Sequence, residues 1–101
     1  MHLHPLRLVR IVAEKTLTEQ ITSLLASLGV RGYTHFDVAG LGEHGVRPGT
    51  TPDTANVLIE VLTSEPEAER ILQRVQAAFL PQHALIAYAL EARALQREKF
   101  Q

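Results

Sequence analysis

An α+β sandwich of order β-α-β-β-α-β is what this sequence predicts. Two helical stripes each begin with a capping-box pattern, and four aliphatic runs are disposed evenly around them. The chain has 101 residues, room for one domain only. Cysteine is absent, so disulfides, thiolate metal sites and cysteine nucleophiles are excluded.

The elements follow in order. Leu6 to Ala13 is aliphatic and β-branched and reads as the first strand. Thr16 and Glu19 have capping-box spacing and open a helix, along which Leu17, Ile21, Leu24, Leu25 and Leu28 form one apolar stripe. Gly29 stands where a left-handed C-cap belongs. Tyr33 to Val38 is the second strand and Asn56 to Leu62 the third. Ser64 and Glu67 repeat the capping box, and Pro66 is tolerated in a first helical turn because the amide it lacks would have no partner there. The second stripe is Ala68, Ile71, Leu72, Val75, Ala78 and Phe79, and Pro81 ends its helix. Ala84 to Leu90 is the fourth strand, and residues 91–101 read as a charged tail, in part helical. Two β-α-β halves in so short a chain predict a ferredoxin-like sandwich, an antiparallel sheet on two helices, with residues 1–101 as a single domain.

Composition narrows the function classes. Hydrophobic residues make up 46% of the chain, and 10 basic against 11 acidic residues give a formal charge of −1. A duplex-DNA binder needs a basic face to displace counterions, and an RNA-recognition sheet needs exposed aromatics; neither is expected here. The N-terminus lacks a basic region followed by an apolar run, and the longest apolar run, Ala84 to Leu90, is too short to span a bilayer. The expectation is a cytoplasmic protein without a membrane span.

The strands alternate poorly. Leu6, Leu8 and Val12 fall on one face of the first strand and Val9 and Ile11 on the other; Ile86, Tyr88 and Leu90 oppose Leu85, Ala87 and Ala89 on the fourth. A sheet with helices on one side only should be polar on the other. An apolar second face predicts that another subunit packs against it, or that the tail folds over it.

Residues 39–55 form a long loop that holds four of the six glycines and two of the five prolines. Connections longer than about 12–15 residues are usually functional or disordered. Gly40-Leu41-Gly42 can turn backbone amides toward an anion, and Arg47 adds a cation suited to phosphate or carboxylate.

The stretch from Gly29 to Gly42 resembles the PII signalling family, in which a helix ends in Gly-x-x-Gly, an aromatic residue or Met and a Thr follow, and Gly-x-Gly after a short strand opens the T-loop. Chain length and element order agree over about residues 6–95. Gly45-Val46-Arg47-Pro48-Gly49 is similar to a segment of the PII-like branch linked to bicarbonate transporters and carboxysomes. The resemblance implies a homotrimer with adenine nucleotides in clefts between subunits. It places Thr34 near the base, Gly40, Leu41 and Gly42 near the phosphates, and Arg47 as the loop arginine. Ala84, Leu85 and Ile86 line the opposite wall, Leu62 and Thr63 add contacts, and Arg93 is a basic position after the fourth strand. Bicarbonate near Arg47, and a bicarbonate transporter or carboxysome-linked protein as partner, are what the branch implies.

The departures bear on the ligand. PII proteins carry Arg-Gln after Gly-x-Gly, where this chain has Glu43-His44. The loop tyrosine of the family is absent, Leu85 replaces a lysine that grips the outer phosphates, and only Arg93 and Arg97 stand for two C-terminal arginines. Fewer cations predict AMP, ADP or cyclic AMP over ATP. Glu43 disfavours a highly charged ligand unless a divalent ion intervenes.

No Ser-His-Asp or paired-carboxylate constellation emerges, so the expectation is a regulator and not an enzyme. Glu14, Glu60 and Glu91 read as solvated or ion-paired, His35 as a strand residue at an interface, and His2 and His4 as a frayed terminus. The alternative is a trimeric ferredoxin-like divalent-metal binder of the copper-tolerance type, using His2, His4 and His44.

Overall fold

The computed structural model of the chain describes residues 1–39 and 56–95. Strand β1 spans His4–Glu14, followed by a 3₁₀ turn Lys15–Leu17 and helix α1 Thr18–Ser27. Strands β2 (Thr34–Val38) and β3 (Asn56–Thr63) precede helix α2 (Glu65–Phe79) and strand β4 (Ile86–Ala94). The sheet order is β2-β3-β1-β4, every pair antiparallel. This is the predicted α+β, ferredoxin-like βαββαβ architecture.

Local chemistry sets the boundaries. Thr16 lies inside the 3₁₀ turn, and α1 starts at Thr18 with no side-chain cap. The Thr16–Glu19 capping box is therefore not formed; the Thr18 hydroxyl instead donates to the Lys15 carbonyl at 2.6 Å and closes the turn. The far end of α1 is as expected. Gly29 has φ of 84°, its amide donates to Ala26 O, and the Val30 amide donates to Leu25 O. Those two bonds are the Schellman pattern, which needs a left-handed residue where Gly29 stands. Helix α2 does use its cap: Ser64 Oγ accepts from the Glu67 amide at 3.4 Å. Leu80 is extended, as a residue before proline prefers, and the helix ends there.

Strand β4 runs four residues past the predicted Leu90, so residues 91–94 of the expected tail belong to the sheet. The reason is β1, whose N-terminal half offers a free edge: Arg7 pairs with Glu91 and His4 with Ala94. Charge in the sequence masked a strand that needs only backbone partners on that side.

The two faces of the sheet differ. Val9, Ile11 and Ala13 of β1 and Val57, Ile59 and Val61 of β3 face the helices and meet Leu17, Ile21, Leu25, Leu28, Ala68, Ile71, Val75 and Phe79. Ala78, counted in the second stripe, is exposed instead. Each fully buried Ile, Leu or Val stabilises the fold by roughly 1.5–3 kcal/mol through burial. Among the described residues no helix covers the other face. Phe36, Ile86 and Leu90 on it are 43%, 61% and 44% exposed.

Candidate functional site

The register lays the uncovered face out in rows. Phe36, Leu58, Val12 and Ile86 are aligned across the four strands. Two residues further along come Thr34, Glu60, Arg10 and Tyr88, and beyond them Leu62, Leu8 and Leu90. A polar row therefore crosses an apolar face between two apolar rows. Arg10 Nε lies 3.0 Å from Glu60 Oε2, and the guanidinium carbon stands 5.9 Å from the centre of the Tyr88 ring.

The residues expected to bind a ligand fall on opposite edges of the sheet. Thr34 opens edge strand β2 and is exposed, directly across from Glu60. Leu62 lies near it on the same face and is half-buried. Thr63 points to the helix side and is buried. Ala84 and Ile86 are exposed at the start of the other edge strand, while Leu85 packs against the core. Arg93 is exposed near the far end of β4, across from Pro5. Three strand spacings of about 4.8 Å put the two edges roughly 14 Å apart. One chain therefore does not bring Thr34 together with Ile86 or Arg93; two chains meeting edge to edge would.

The long loop is rooted at a fixed point. Val38, the last residue of β2, pairs with Asn56, the first of β3. Lys15 Nζ meets Asp37 Oδ2 at 2.8 Å and ties the end of β2 to the turn after β1. Gly40, Leu41, Gly42, Glu43, His44 and Arg47 lie outside the described residues, as does Arg97.

The donor set suits a nucleotide better than a metal. An exposed threonine hydroxyl can address a base edge, an exposed isoleucine its face, and an exposed arginine a phosphate. Among the described residues no three His, Asp or Glu side chains approach metal-binding distance. His2 and His4 make an edge-to-face pair, with ring centres 4.6 Å apart.

The family model for Nitrogen regulatory protein P-II matches residues 6–99. The chain belongs to the P-II family. A crystal structure provisionally described as a PII-like signalling protein from Thermus thermophilus is 37% identical, covers 100% of both chains and has a TM-score of 0.84. CPII from Thiomonas intermedia bound to ADP and bicarbonate is 29% identical, over 99% of this chain and 98% of that one, with a TM-score of 0.84. CPII bound to ADP, AMP and acetate is 27% identical, with the same coverage and a TM-score of 0.83. A search of the curated proteins returns no significant match. Among the described residues no helix is long and apolar enough to cross a membrane.

Within this P-II chain, the polar row is the feature that sequence reasoning did not assemble. Its signal was present: Arg10 and Glu60 are opposite charges, each interrupting an otherwise apolar strand. Only the β1–β3 register shows that the two are partners. His35 falls on the helix side of β2, exposed at the sheet edge beside Tyr33.

Proposed function

We propose that this P-II protein is a regulator that binds an adenine nucleotide between subunits of a homotrimer and thereby selects one arrangement of its loop, residues 39–55. The observation that carries the reading is the likeness, along nearly the whole chain, to CPII bound to ADP and bicarbonate. The separation of Thr34 from Ile86 and Arg93 on opposite sheet edges supports a site shared between chains. The uncovered apolar face supports association.

In this reading Thr34, Leu62 and Thr63 of one chain and Ala84, Leu85, Ile86 and Arg93 of its neighbour form the cleft. Gly40, Leu41 and Gly42 turn amides to the phosphates, and Arg47 supplies charge from the loop. AMP, ADP or cyclic AMP is preferred over ATP, because Leu85 stands where a cation would hold the outer phosphates. Bicarbonate is a co-ligand beside Arg47, and the regulated partner belongs to inorganic-carbon metabolism, a bicarbonate transporter or a carboxysome-linked protein. The protein works in the cytoplasm and catalyses no reaction. Coupling requires the nucleotide to bind one loop arrangement more tightly than the others.

Calorimetry with AMP, ADP, ATP and cyclic AMP tests this. Binding of the mono- and diphosphates with weaker ATP is expected; no binding by any of the four at millimolar concentration would sink the reading. Arg47→Ala and Arg93→Ala should each weaken ADP about tenfold, the scale of one charge-assisted hydrogen bond, and leave adenosine unchanged.

A further inference from the structure

The polar row on the uncovered face poses a chemical problem that the described residues of one chain do not solve. Arg10 presents five N–H donors. Its Nε is buried and has no aligned acceptor among the described residues, although Glu60 Oε2 stands 3.0 Å away. The Tyr88 ring, 5.9 Å from the guanidinium carbon, attracts the charge without accepting those hydrogen bonds in the plane of the group. Glu60 likewise has acceptor sites beyond the one contact.

Apolar side chains in place of such a pair would bury as well or better. What two opposite charges in an apolar face add is selectivity, since any other register sets a charge against apolar surface or against its like. The face is also self-complementary, with one cation and one anion in the same row, and a second copy of this chain supplies both counter-charges.

We propose that Arg10 and Glu60 form the charged key by which copies of this chain recognise one another: each guanidinium, held by its own Glu60, directs its remaining donors to the Glu60 carboxylate of a second copy. The proposal rests on the assembly in the functional reading and not on its ligand.

Light scattering on the full chain tests it. Arg10→Glu alone and Glu60→Arg alone each put two like charges in the row and are expected to lose at least tenfold of the assembled species. The double reversal, Arg10→Glu with Glu60→Arg in one chain, restores an opposite pair at every contact of the ring and is expected to recover the wild-type mass by native mass spectrometry, while each single variant stays folded by circular dichroism. No recovery in the doubly reversed chain, or wild-type assembly by either single variant, overturns the proposal. Should the reversed variants fail to fold by circular dichroism, Arg10→Met with Glu60→Met removes both charges at similar volume. That variant is expected to assemble into more than one mass; a single wild-type mass overturns the proposal. Absence of ADP binding by the wild type, with the charge-reversal result intact, would defeat the nucleotide reading and leave this one standing.

Discussion

The two faces of the sheet are nearly equal in hydrophobic content and unlike in what covers them. Toward the helices, Val9, Ile11, Ile59, Ile71 and Val75 are closed off from solvent within one chain. Away from them, Leu58 is buried while Phe36, Ile86 and Leu90 on the same side are open. The first face carries only one buried polar side chain among the described residues, Thr63, whereas the second carries an ion pair at its centre. A core built for folding is free to be uniformly apolar. A face built for recognition needs an element that distinguishes the right partner from any greasy one.

Substitutions on the two faces should have different consequences. Ile71→Ala on the covered side should cost about 3–4 kcal/mol and lower the melting temperature by roughly 15–25 °C at fixed protein concentration. A loss under 1 kcal/mol by denaturant titration would mean the core is not where the burial places it. Ile86→Asp on the open side should leave far-UV circular dichroism unchanged but raise the dissociation constant of the assembly at least a hundredfold, because it puts an unpaired charge in a buried interface. An unchanged mass by gel filtration would show that Ile86 stays in solvent.

Two smaller effects sharpen the scale. Ser64→Ala removes the α2 cap and should cost about 1 kcal/mol, against no measurable change for Thr16→Ala, whose capping box is not formed. Equal losses for the two would contradict the turn at Lys15–Leu17. Lys15→Ala breaks an exposed ion pair and should shift stability by no more than about 0.5 kcal/mol.

Much of the fold was legible because its signals are local. The Gly29 cap, the Ser64–Glu67 cap and both apolar stripes depend on residues within a few positions of one another. The misreadings came where tertiary pairing decides. Residues 91–94 are charged or small, and only the free edge of β1 makes them a strand. Thr16 has the right neighbour for a capping box, but the chain needs those residues to turn from sheet to helix. For the candidate site, Thr34 and Arg93 could be named from their setting in the sequence, whereas their lying on opposite edges follows from strand order alone. The partnership of Arg10 with Glu60 spans fifty residues, and no periodicity reports it.

The pairing of Val38 with Asn56 has an evolutionary consequence. Because the sheet holds both ends of the connection together, what lies between them is insulated from the folding equilibrium. Doubling the length of a closed loop adds only about 0.6 kcal/mol of entropy cost. Descendants of such a chain could exchange this segment for another, altering which molecule it addresses, while the scaffold beneath went on folding as before.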